Sequence, residues 1–179
     1  MLIHPSKRSK KVLDELYQRL LDYPCFQNLA AYNFENFCSL AQELFMECVL
    51  PDTVLLRQGE EPDMAYVLVQ GHVQVEVTFS FSKFGKTQLK TKKMCKMGNK
   101  SLFGELSLLF NGKRTATVSS LEACYVLLIR KEPFLKYMKA SILKKLNRTI
   151  SFFKSLAFME TVESNVLLIL ASKIELQQL

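Results

Sequence analysis

The sixteen residues from Phe103 to Val118, F-G-E-L-S-L-L-F-N-G-K-R-T-A-T-V, constrain this chain more than any other stretch. They combine a glycine turn, a carboxylate, one short apolar helical turn, an Asn-Gly stop and an arginine. Gly104 lets backbone N–H groups come close to a ligand with no Cβ in the way. Leu106 to Phe110 can form a short helix, and a helix start attracts an anion. Asn111-Gly112 can supply the left-handed residue that ends such a helix. Arg114 follows, and its planar fork suits phosphate. Glu105 cannot partner an anion; as an acceptor it wants hydroxyls, such as those of a sugar. Phosphate and hydroxyl on one small molecule point to a nucleotide.

On these residues the stretch resembles, without a gap, the phosphate-binding cassette of the cyclic-nucleotide-binding domain family. It is similar to the form in the regulatory domains of cyclic-nucleotide-dependent protein kinases. The resemblance implies that Gly104 and the amides of Leu106 and Ser107 hold the cyclic phosphate, that Glu105 takes the ribose 2′-hydroxyl, and that Arg114 pairs with the phosphate. Thr115 and Ala116, next along, complete the implied ligand-binding set. Ser107 stands where alanine is usual and Lys113 where proline is usual; neither change removes a ligand-contacting group. A threonine after the arginine goes with cyclic GMP in this family, because its hydroxyl can accept from the guanine 2-amino group. Thr115 therefore tilts the expected ligand toward cyclic GMP and leaves cyclic AMP open.

The rest of the chain reads as follows. Val12, Leu13, Leu16, Leu20 and Leu21 set a helical period over 6–23, after an exposed basic start, and Pro24 is expected to end that helix. A second helix is expected from Asn33, a plausible N-cap, with Phe34, Phe37, Leu40, Ala41, Leu44 and Phe45 on one face. Asn36 leaves its capping box incomplete. Pro51-Asp52 is a turn. From Thr53 the period changes to two, with a glycine turn at Gln58-Gly59-Glu60, a strand at Tyr66–Val69 and a bend at Gly71. Val73, Val75, Val77, Phe79 and Phe81 alternate as a half-buried strand. Ser82–Thr87 is expected as a hairpin loop and Leu89–Met97 as the return. Ala116 and Val118 alternate, and Cys124–Ile129 reads as a central strand. Short strands between glycine turns suggest a sandwich or barrel. The spacing of Gly59, Asp63, Tyr66 and Gly71 also resembles the family's barrel, so the resemblance spans roughly 34–162. It implies an α+β fold: an eight-stranded antiparallel β-barrel or jelly roll, flanked by N-terminal helices and by C-terminal hinge and lid helices.

Glu132-Pro133 starts a helix, with Phe134, Met138, Ile142, Leu146, Ile150 and Phe153 at helical spacing and Lys139, Lys144, Lys145 and Arg148 mostly elsewhere. Arg19–Leu29 and Phe152–Val162 share a loose apolar pattern at an offset of 133. Phe152–Leu179 also looks like the helical entry of a second domain of the same kind. The expected division is a helical segment over 1–33, a nucleotide-binding domain over 34–150, and over 151–179 a linker helix with the start of a truncated second domain, as in a piece of a longer tandem protein.

Composition bounds the function. The 179 residues are 49% hydrophobic, enough for a core, yet no apolar run reaches the roughly eighteen residues of a membrane span. The charged start is unlike a signal peptide. Five scattered cysteines form no C-x-x-C pair, so reduced thiols in a cytoplasmic protein, with no metal site, are expected. The formal charge of +7 is concentrated: residues 77–104 carry seven lysines and no acid. That run fits a solvated hairpin guarding a sheet edge, or a patch for acidic lipid or nucleic acid.

The expected function is a cyclic-nucleotide sensor that signals through its C-terminal helices to a protein effector or to the rest of a longer chain. A degenerate barrel kept for protein contacts is the alternative. An enzyme is not expected, since phosphodiester hydrolysis needs a metal or a placed base and the cassette offers one glutamate. No catalytic residues and no cofactor beyond the cAMP or cGMP ligand are expected. A DNA-reading partner is not expected either, because Lys154 and Lys173 are the only basic residues of 151–179. Lys7-Arg8-Ser9 is not the Arg-Arg-x-Ser form of a kinase inhibitor site.

Overall fold

The computed structural model describes residues 7–83 and 86–156. Ser9 caps α1 (Lys10–Leu20), its side chain accepting from the Val12 amide. Pro24 does not simply end this helix. It occupies the first turn of a further helix, α2 (Pro24–Tyr32), where its missing N–H has no partner to lose. Asn33 caps α3 (Phe34–Glu43) by accepting from the Asn36 amide at 2.9 Å. The basic start is not wholly exposed: the Arg8 guanidinium reaches the carbonyls of Ala41, Gln42 and Leu44 at the end of α3. It thus satisfies the orphan acceptors of a helix terminus.

Eight strands follow among the described residues: β1 (Phe45–Val49), β2 (Val54–Leu56), β3 (Met64–Gln70), β4 (Val73–Lys83), β5 (Lys86–Met97), β6 (Leu102–Phe103), β7 (Thr117–Ser120) and β8 (Cys124–Arg130). They form two four-stranded antiparallel sheets, ordered β1-β8-β3-β6 and β2-β7-β4-β5. This is the expected α+β architecture of an antiparallel barrel with flanking helices. Phe45, expected on the face of α3, instead opens β1, and Phe34 at the helix start is 59% exposed. The hairpin is tighter than expected, since β4 runs to Lys83 and β5 starts at Lys86.

The first sheet is buried on both faces. Tyr66, Leu68, Val126 and Leu128 point into the barrel with Val73, Phe103 and Val118. Ala65, Val67, Leu127 and Ile129, the alternate residues of the same strands, meet the helices at Leu20, Phe26, Phe37, Leu40 and Phe134. This is why β8 reads as a continuous apolar run. Phe26, Phe37 and Phe134 are fully buried, each contributing about 1.5–3 kcal/mol of transfer free energy.

After β8 the chain makes one helical turn, α5 (Lys131–Pro133), then a π-helical segment (Phe134–Met138), then α6 (Lys139–Lys154). Phe134, Met138, Leu146 and Phe153 bury the expected stripe. The expected domain boundary at residue 150 falls within α6. Of the linker and second-domain start expected over 151–179, residues 157–179 lie outside the described residues.

Gly71 turns β3 into β4 at φ +104°, and a Cβ there would lie 2.6 Å from the Cys124 sulfur and 3.2 Å from the Ala123 carbonyl oxygen. Gly71→Ala is expected to lower stability by about 2 kcal/mol or more, read from the urea midpoint. Cys124→Ala in the same chain should restore part of the loss. An unchanged midpoint for Gly71→Ala would mean that the turn relaxes without strain.

Candidate functional site

Phe103 pairs with Tyr66 across β6 and β3, their rings stacked 5.3 Å apart, and this fixes where the cassette leaves the barrel. Gly104 then adopts φ +79° and heads α4 (Glu105–Leu109). That helix starts one residue earlier than the sequence suggested. No side chain caps it, and a helix start presents amides that the helix's own ladder does not use. Asn111, at φ +50°, supplies the left-handed residue after α4, and the Gly112 amide closes back on the Ser107 carbonyl at 3.0 Å.

Arg114 is 4% exposed, and all four of its terminal N–H groups have protein acceptors. Nη1 donates to the Gly104 carbonyl at 2.7 Å and to Ser107 Oγ at 3.1 Å. Nη2 donates to the Met64 carbonyl at 2.6 Å and to Asp63 Oδ1 at 3.3 Å. The backbone of Arg114 is held as well: its amide donates to Glu60 O, and its carbonyl accepts from the Gly59 amide, both at 2.8 Å. The Gln58-Gly59-Glu60 turn, with Gly59 at φ +89°, thus clamps the arginine strand. Burial pulls the Arg114 pKa down, and the charge of Asp63 opposes this. The Asp63 side chain is 70% exposed, so water screens much of that attraction.

All seven residues expected from the sequence, Gly104, Glu105, Leu106, Ser107, Arg114, Thr115 and Ala116, line one cavity of about 540 Å³. Its opposite walls come from elements the sequence did not connect to the site. Pro24, Cys25 and Asn28 come from α2, and Ser141, Ile142, Lys145 and Leu146 from α6. Four of the lining residues are charged: Lys100, Arg114 and Lys145 against Glu105. Lys145, expected on the solvent side of its helix, is half-buried in this wall. Cys25 feels both Lys145 and Glu105, but burial dominates and pushes its thiol up to about 12. The thiol is therefore neutral and adds no charge to the cavity.

Asp63 was another omission. Its spacing with Gly59, Tyr66 and Gly71 pointed only to the barrel, and its bond to Arg114 needs a separation of 51 residues to be closed by the fold. The stripe of Met138, Ile142 and Leu146 was the one signal for α6. It fixed the buried face of the helix but not what lay beneath. Among the described residues no group of three or more His, Cys, Asp or Glu could hold a metal, no helix is long and apolar enough to cross a membrane, and the five cysteines are free.

The chain is similar to known proteins over most of its length. It is 25% identical over 164 residues to cGMP-dependent protein kinase, isozyme 1, of Drosophila melanogaster, which covers 91% of this chain and 19% of that protein. The regulatory domain of Toxoplasma gondii PKA, solved with cAMP, superposes with a TM-score of 0.64 at 20% identity, covering 93% of this chain and 59% of the other. The regulatory subunit of a cAMP-independent protein kinase A from Trypanosoma cruzi, bound to guanosine, gives 0.65 at 17% identity, covering 93% and 54%. The chain thus spans about a fifth of the kinase and just over half of each solved chain. The model of the cyclic nucleotide-binding domain matches residues 47–141, more than half of the sequence, and the chain belongs to that family.

Proposed function

We propose that this chain is a cyclic-nucleotide sensor of the kinase-regulatory type, a cytoplasmic binding module that passes its signal through α6 to a protein effector or to the remainder of a longer protein. The observation that carries the reading is the convergence of all seven expected ligand-binding residues on one cavity of about 540 Å³, within the range of roughly 300–1,000 Å³ usual for small-molecule sites. The uncapped start of α4 and the cations lining the cavity suit the phosphate, and Glu105 suits the ribose hydroxyls. One relative is described with guanosine, which has no phosphate. Three lining cations against one carboxylate favour an anionic ligand over a neutral nucleoside. Thr115 is exposed within the lining, where its hydroxyl is available to a guanine amino group, so cyclic GMP is the favoured ligand and cyclic AMP the second.

Titration calorimetry tests this with cyclic GMP, cyclic AMP and guanosine. Both cyclic nucleotides should bind, and guanosine more weakly. Arg114→Ala should weaken binding by about tenfold to a hundredfold, as for a charge-assisted contact of about 1.5–3 kcal/mol. Arg114→Lys should fall between, because it keeps the charge and loses the fork. Thr115→Ala should cost cyclic GMP about threefold to tenfold, as for one neutral hydrogen bond, and cyclic AMP less. No binding at millimolar nucleotide would leave the barrel as a scaffold for protein contacts. Equal losses for the two nucleotides on Thr115→Ala would remove the base-reading role.

The signalling half has its own test. Ser141, Ile142, Lys145 and Leu146 share the cavity with the cassette, and a ligand shifts such a helix only by its differential affinity for the helix positions. Hydrogen exchange over 134–154 should change with cyclic nucleotide more than exchange in β3 and β8. Uniform changes, or none beyond Phe134, would make the protein a static binder.

A further inference from the structure

The outer half of the β4–β5 hairpin has no role in the nucleotide site. β7 pairs with β4 only as far as Glu76, and β5 is the edge of its sheet. Beyond that point no third strand joins them; the Gln58 side chain bonds the Thr78 backbone, and the ribbon runs on from the pair Val77–Lys92 to the pair Lys83–Lys86. The register slips where the ribbon leaves the sheet. Val75 pairs with Cys95 and Glu76 with Lys93, so Met94 is the extra residue of a bulge. A bulge bends and twists its strand, which re-aims the ribbon as it departs.

The exposed end is apolar on both faces. Residues paired across an antiparallel ladder share a face. One face carries Phe79 opposite Lys90 and Phe81 opposite Gln88; the other carries Leu89 opposite Ser80. Phe79 is 43% exposed, Phe81 38% and Leu89 75%. Lys90, Lys92, Lys93 and Lys96 are exposed around them.

Edge protection accounts for lysines on β5. It does not account for exposed Phe79, Phe81 and Leu89, which such protection would avoid. Phe79 and Phe81 share one face, as a base-stacking platform would require, but Leu89 leaves the other face, and 77–104 contains no arginine for the cation–π contacts such platforms use. We propose that this ribbon docks on an anionic lipid surface. Phe79, Phe81 and Leu89 enter the boundary between headgroups and acyl chains, and the lysines lie against the lipid phosphates. The charge complementarity is one-sided, with six lysines and no acid in 77–97.

The test is co-sedimentation of the 179-residue chain with phosphatidylcholine vesicles, with and without about one-third phosphatidylserine. The chain should partition to the anionic vesicles about tenfold or more above the neutral ones and be released by salt. Lys90→Glu with Lys92→Glu should lower partition by about tenfold or more. Phe79→Ser with Phe81→Ser should lower it while leaving cyclic-nucleotide affinity unchanged. If the charge-reversed chain fails to fold, Lys90→Gln with Lys92→Gln gives the same reading. Equal sedimentation with neutral vesicles, or none with anionic vesicles at low salt, overturns the proposal. So does retention of a single-stranded RNA oligonucleotide by a chain that ignores the vesicles, which would assign the ribbon to nucleic acid.

Discussion

A buried guanidinium ties together segments that are far apart in sequence. Arg114 takes two acceptors from the start of the cassette, Gly104 and Ser107, and two from the start of β3, Asp63 and Met64. Removing the arginine would leave the Gly104 and Met64 carbonyls short of a donor, at about 1–3 kcal/mol for each left buried and unsatisfied. The arrangement also dictates Gly104. A Cβ there would lie 2.9 Å from Arg114 Nη1 and 3.1 Å from a Leu56 methyl carbon. Glycine is thus required twice, for its backbone angle and for the space the guanidinium fills. The charge itself is incompletely balanced, because Asp63 stands largely in water. Hydrogen bonding is satisfied while a positive field remains at the cavity wall, and an incoming anion exploits that field by exchanging acceptors rather than by meeting a bare cation.

The same site is mechanically joined to the helices. Leu108 and Leu109, on the inner side of α4, belong to the cluster that contains Phe134, Met138 and Leu146. α4 therefore presents its first turn to the ligand cavity and its apolar side chains to the π-helical segment and α6. Close packing makes such a contact bistable rather than compliant. In the proposed sensor, a shift of α4 would reach α6 through this apolar cluster, with no need for a separate chain of polar residues. The first sheet supplies the fixed reference, because β3 and β8 are held by packing on both faces.

Sequence reasoning found the elements whose evidence is local. Asn33 capped α3 as read, Gly59 and Gly71 turned the chain, and the alternation in β4 and the apolar run of β8 gave strands. It failed where tertiary contact outweighed local pattern. α2 was missed because Pro24 reads as a stop and as a start with equal right, and the choice is made by Phe26 and Leu29, which become fully buried. β1 was absorbed into α3 because Phe45 continues the helical spacing; pairing with β8 from Phe45–Leu128 to Val49–Cys124 overrode it. Phe79 and Phe81 keep the period of a half-buried strand, but periodicity does not say whether a second layer exists to cover it.

The site divides along the same line. The cassette could be read because the seven expected residues, all in the cavity lining, lie within 104–116 and act through local geometry. The opposing wall could not, because nothing in the sequence of α6 distinguishes Lys145 from Lys144, its exposed neighbour. The distinction matters for the chemistry. Within the lining, the cassette alone sets one cation, Arg114, against one carboxylate, Glu105. The preference for an anion comes from Lys100, in the turn before β6, and Lys145, on α6. Two unit charges at about 4 Å interact by about 4 kcal/mol near a protein surface and about 1 kcal/mol in water. Drawing Lys145 into the cavity or releasing it to solvent therefore changes how strongly the site holds an anion. In the proposed sensor, an anion in the cavity would by linkage favour the α6 position that keeps Lys145 in the lining, so ligand charge as well as ligand shape would bear on that helix.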